Sequence, residues 1–108
     1  MSGEFAGSLK QRISIERPTL LRTASGLQEA GWEAVATCLA GIVAEGVGAE
    51  AEGQALSASP RFRVTIRARD GISVGQRVIW NARVMLVRQR IDDPGRPDRI
   101  TLRCEEMR

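Results

Sequence analysis

The stretch 61-RFRVTIRAR-69 alternates with a period of two. Phe62, Val64, Ile66 and Ala68 form one apolar set, and Arg61, Arg63, Thr65, Arg67 and Arg69 form the other. A strand spelled this way offers one face to a core and keeps one strongly cationic face. Two questions follow from it: what the apolar face packs against, and what a row of four arginines meets.

The segments downstream answer the first question. Asp70-Gly71 ends the stretch, and 76-QRVIWN-81 reads as a second strand, with Val78 and Trp80 expected opposite Gln76 and Asn81. Asn81-Ala82-Arg83 makes a tight turn into a third strand, 84-VMLVRQRI-91. Two prolines and a glycine make 92–99 a loop, and 100-ITLRCEE-106 is a last strand with Ile100, Leu102 and Cys104 on one face. Upstream, 11-QRISIER-17 alternates about Ile13 and Ile15, and Pro18 is expected to end it. Residues 18–31 read as a connection with turn chemistry at Ser25-Gly26 and Gly31. The run 32–46 fits both helical and strand spacing. Strand is favoured, with Gly41 expected at a bulge or kink. The stretch 18–44 therefore admits an extra strand or one short helix. Short alternating strands between turn signals predict an all-β fold, a small antiparallel β-barrel whose closure hides its sheet edges. Its predicted core includes Ile13, Ile15, Trp32, Phe62, Val64, Ile66 and Trp80.

Length fits one domain over 1–108, with residues 1–9 as a flexible arm. Residues 46-GVGAEAEGQALSASP-60 lack bulk: Gly46, Val47, Gly48, Glu50, Glu52, Gly53 and Gln54 offer little area to offset ordering entropy. A long flexible inter-strand loop of this kind is a bare linker or orders on meeting a partner.

Charge is split. Residues 1–58 carry four cations against seven glutamates, a net of −3. Residues 59–108 carry twelve arginines against six carboxylates, a net of +6. Such a chain can bind polyanions or seat the acidic part of one copy on the basic part of another. Fifteen of the sixteen basic residues are arginine, the cation that suits interfacial ion pairs, although a GC-rich genome gives the same bias.

The chain has no histidine, which removes Ser-His-Asp and Cys-His chemistry and any His-containing metal site. Cys38 and Cys104 lack metal spacing and read as buried thiols of a reducing compartment. Asp92, Asp93 and Asp98 are the one conceivable cation cluster, but Asp92-Asp93 beside Pro94-Gly95 reads as a turn. Glu105-Glu106 reads as an exposed chain end. No phosphate-cradling glycine motif occurs. No cofactor is expected, nor any membrane partner, since no apolar run approaches the ~18 residues of a membrane span. Residues 1–12 lack the apolar run of a leader peptide, so the chain is expected to be cytosolic when made. Sequence-independent DNA binding is the competing reading of the arginine row. Against it, single-strand binders interleave aromatics with their cations, whereas Phe62 points away from Arg61 and Arg63.

An ordered set of motifs carries a family resemblance over residues 9–106. It begins with 9-LKQRISIERP-18, a turn at Ser25-Gly26, and Trp32 opening a W-x-x-V stretch. After the Gly/Ala/Glu loop come Phe62, Val64, Thr65, Ile66, Arg67, Ile72, Gly75, Arg77, Val78, Trp80, Val87 and Ile91. The chain resembles the phage head-tail joining family, the head-closure or stopper proteins of long-tailed phages. Cys38-Leu39, and Met85 or Leu86, stand where many members carry aromatics.

The resemblance implies a non-enzymatic structural protein of the virion neck. It implies a homo-oligomeric ring, hexamer or dodecamer, assembled in the bacterial cytoplasm. Portal and adaptor proteins would lie on its head side, the tail terminator on its tail side, and double-stranded DNA would pass through the channel. It implies that Gly46–Pro60 reaches into the channel as a gating loop. Arg61, Arg63, Arg67 and Arg69 would then face a neighbouring subunit or the DNA. A phage and a phage-derived gene transfer agent fit equally.

Overall fold

The computed structural model describes residues 8–45 and 59–107. Six strands account for most of them: β1 Gln11–Thr23, β2 Gly26–Ala44, β3 Arg61–Arg67, β4 Arg77–Trp80, β5 Arg83–Asp92 and β6 Arg99–Glu106. All neighbours are antiparallel, and one sheet closes on itself in the order β1-β2-β3-β6-β5-β4. The expected all-β barrel is present, and 18–44 is strand apart from the turn at Ala24-Ser25.

The alternation read in the sequence is what fills the barrel. Ile13 and Ile15 from β1, Val64 and Ile66 from β3, Val78 from β4, Met85 and Val87 from β5, and Ile100 and Leu102 from β6 are each at most 2% exposed. Ile72, from the β3–β4 connection, and Cys104 join them. Phe62 meets Trp80 edge to face at the barrel end, with ring centroids 5.8 Å apart, and Arg83 lies over both rings. The Trp80 indole N–H donates to Gln11 at 3.1 Å, so its polar edge faces outward.

Several expectations are corrected. Pro18 does not end β1, which continues to Thr23. Pairing of β1 with β4 stops at Glu16–Arg77, so Pro18 pairs with Trp32 on a strand whose other edge is open among the described residues. An open edge tolerates a residue with no N–H to donate. The supposed connection 18–31 is thus a two-stranded ribbon running past the barrel.

Gly41 is not a bulge. The register shifts of this hairpin lie at Ile15/Glu16 and Thr19/Leu20, while Gly41 pairs regularly with Thr65. Its missing side chain serves close approach, because a Cβ there would sit 3.2 Å from the Ser8 carbonyl oxygen. Leu9, expected in a loose start, is buried. Trp32 is not core; it sits half-buried at the foot of the ribbon, on the outer face with Glu16 and Arg77. Gln76 is buried rather than turned away: its amide donates to the Gly71 carbonyl at 2.7 Å and accepts from Ser73 N–H, tying the β3–β4 connection together. Glu105 and Glu106 are no exposed tail; both are half-buried on β6.

Candidate functional site: the outer face of β3 and β6

The arginine row lies on the outside of the barrel, and β6 extends it. Antiparallel register sets Arg61 against Glu105, Arg63 against Arg103, Thr65 against Thr101 and Arg67 against Arg99. Two like-charged pairs across one ladder repel unless carboxylates intervene. Glu45, the last described residue before 46–58, intervenes for the first pair. Its carboxylate accepts from Arg103 Nε and Nη2, both at 3.0 Å, and lies 3.6 Å from Arg63. The Arg103 hydrogen bonds, with the Coulombic fields of Arg103, Arg63 and Arg61, hold the Glu45 carboxyl below its ordinary range. Arg103 is raised in turn by its bond to Glu45. Asp98 is lowered by its hydrogen bond to Arg99 and by the field of Arg67.

Glu45, Arg61, Arg88, Gln89, Arg103 and Glu105 line a groove of about 320 Å³ beside the point where 46–58 begins. The frame there is firm at both ends of that segment. Glu45 N–H donates to the Arg61 carbonyl at 2.9 Å, and Glu106 N–H donates to the Pro60 carbonyl at 2.8 Å. Gly46, Val47, Gly48, Glu50, Glu52, Gly53 and Gln54 themselves lie outside the described residues.

The barrel's remaining cations are mostly matched. Arg17–Glu33, Arg77–Glu16, Arg83–Glu106, Arg88–Glu105, Arg90–Asp92 and Arg99–Asp98 are ion pairs at 2.6–3.7 Å. Pairs this exposed contribute little each. Arg77, like Arg83, adds packing on an aromatic ring, its guanidinium lying 4.3 Å from the Trp32 ring centroid. Sequence reasoning missed this clamp because Trp32 and Arg77 are joined only by the β1–β4 closure.

The three aspartates do not converge. Asp93 accepts from Gly95 N–H at 2.9 Å while its carbonyl accepts from Arg96, which is turn chemistry. Asp92 and Asp98 are each held by an adjacent arginine, and both are lowered for that reason. No group of three His, Cys, Asp or Glu is placed for a metal among the described residues. Both cysteines are free thiols. Burial pushes Cys104 up to about 12, whereas Cys38, expected buried, is only half so.

The described residues thus form a small closed barrel with an ion-paired outer face and no cluster placed for a metal. The family comparison gives it a lineage: residues 6–107 match the phage head completion proteins, and the chain belongs to that family. It is a structural protein of head closure. Among solved structures, protein SF1141 from Shigella flexneri 2a shares 27% identity and a TM-score of 0.67, over 93% of this chain and 94% of that one. A chain in the virion of a native gene transfer agent particle shares the fold with a TM-score of 0.69 and 17% identity, over 92% of this chain and 96% of that one. No curated protein matches the sequence.

Proposed function

We propose that this chain forms the homo-oligomeric ring, hexameric or dodecameric, that closes the head after DNA packaging and presents the docking surface for the tail. In this reading the ring sits at the head-tail neck, after assembly in the cytoplasm. Portal and adaptor proteins lie on its head side, the tail terminator on its tail side, and double-stranded DNA runs along its axis. The role is structural rather than catalytic. The observation that carries the reading is the clamp at both ends of 46–58, through Glu45 with Arg103 and Pro60 with Glu106. A segment hung on a rigid rim can be presented to a channel with a fixed origin. Its Glu50 and Glu52 would repel phosphate, which suits a gate that must release DNA.

The arginine face of β3 then meets a neighbouring subunit. Arg63 of that row shares the Glu45 carboxylate with Arg103 of β6, which supports a face built on ion pairs over a surface free to grip DNA. The test is complementation of particles that lack the chain. Wild-type protein restores DNA retention and tail joining. The Arg63→Glu, Arg67→Glu double variant folds but does not enter the particle. Heads that keep their DNA and accept tails without the chain would overturn the head-closure role. A double variant that still joins heads to tails would overturn the assignment of the arginine face. Tight, salt-sensitive binding of naked duplex would favour the DNA-binding alternative.

A further inference from the structure

Among the described residues, the ribbon formed by Arg17–Thr23 and Gly26–Glu33 pairs with nothing but itself. Seven residues of β1 pass the last β4 contact, which makes an arm of about 20 Å at ~3.3 Å per residue. Isolated two-stranded ribbons are marginal in water. This one nevertheless exposes Leu20, Leu21 and Leu27 at 58–61%. Register puts Leu20 opposite Glu29 and Arg22 opposite Leu27. One face of the tip therefore carries Leu20, Leu27, Arg22 and Glu29, with Arg22 one pair nearer the turn and Glu29 a carboxylate with no ion pair among the described residues.

The barrel carries a complementary surface. Leu39 is 46% exposed on the outer face of β2, paired with Arg12 on one side. On the other it shares a groove of about 200 Å³ with Leu9, Cys38, Arg67 and Arg69. An apolar floor rimmed by guanidinium groups suits the Leu20 and Leu27 side chains with Glu29 at the inner end of the face, and leaves Arg22 toward the turn. A chain cannot fill its own groove, because Leu27 and Leu39 lie twelve residues apart on one strand, about 40 Å at ~3.3 Å per residue. We infer that the arm of one copy docks in the Leu39 groove of the next, with Leu20 and Leu27 over Leu39 and Glu29 against Arg67 and Arg69. Such a contact is head-to-tail, the kind that closes into a ring when the rotation per subunit allows. The inference rests on the ring reading above and names the contact that builds it.

Site-directed cross-linking tests it, in a Cys38→Ser background so that the groove holds no native thiol. Leu27→Cys and Leu39→Cys are combined in one chain, and oxidation is run on concentrated protein and on assembled particles. A ladder of dimers, trimers and higher species is expected from the double variant. Separate single variants are expected to cross-link only when mixed. Glu29→Arg should reduce the ladder at least tenfold, and adding Arg69→Glu should restore it. Both cysteine positions are exposed, and circular dichroism checks that the variants fold. Cross-linking of Leu27→Cys with itself would mean tips meet tips, overturning the contact. A double variant that enters visible rings without a ladder would overturn the arm while leaving the ring intact. Particles with no ring of this chain would overturn both.

Discussion

Replacing Ala82 with glycine should make the protein more stable, against the usual direction of substitution. Asn81 and Ala82 form the two-residue turn from β4 to β5, closed by the pair Trp80–Arg83. Their φ angles are 49° and 66°, both left-handed, as a type I′ turn requires. An L-residue pays about 1–2 kcal/mol for that region; asparagine recovers part of this through its short polar side chain, and alanine does not. Glycine removes the penalty, but its freer unfolded chain takes back about 0.5–1 kcal/mol. Ala82 is exposed, so no packed methyl is lost. The net gain is about 0.5–1 kcal/mol. An unfolding entropy of ~2.1 cal/mol/K per residue over 108 residues makes this a rise in Tm of about 2–4 °C. Thermal and urea unfolding followed by circular dichroism would measure it, with Ala82→Val as a control that should fall. A lower Tm for Ala82→Gly would refute the account of the turn.

Further outcomes follow from the core and the outer face. Ile66→Ala, at a position with no exposure, should cost about 2–5 kcal/mol in urea unfolding. Glu45→Gln should reduce stability near neutral pH. Because the folded pKa of Glu45 is lowered, its contribution is full above the unfolded glutamate value and is lost as pH falls through the folded one. The gap between variant and wild type should therefore close in acid, and a gap independent of pH would contradict the clamp. Cys104, raised to about 12 by burial, should resist thiol reagents until the chain unfolds, and rapid labelling of native protein at that residue would count against the core. Arg77→Ala should speed amide exchange in 17–33 and leave β3 and β6 protected, because it removes both the Glu16 bond and the cover of Trp32. Equal loosening of the whole barrel would show that Arg77 holds more than the arm.

The barrel was legible wherever alternation was strict, as at Ile13/Ile15, Phe62/Val64/Ile66 and Ile100/Leu102/Cys104, because period-two burial writes itself into the sequence. The arm was not. Pro18, Ser25-Gly26 and Gly31 are loop-like residues, and a ribbon with no core to face has no apolar alternation to betray it. Trp32 misled for a related reason: a large apolar residue at a barrel exit is covered by a long cation rather than by other apolar side chains. The arginine row was visible, but its partners were not. Glu45 reaches Arg63 from the β2 end, and register sets Glu105 of β6 opposite Arg61, pairings that no local pattern encodes.

The order of strands around the barrel also sets a timetable for synthesis. β6 comes after the other five described strands in chain order, yet it lies between β3 and β5 and supplies Ile100, Leu102 and Cys104 to the interior. Until it emerges from the ribosome, β3 and β5 have bare edges and the interior stands open. The β1–β2 hairpin, by contrast, joins residues close in sequence and can form while the rest is still being translated. A nascent chain thus displays its leucine-tipped arm before its own barrel has been closed by β6.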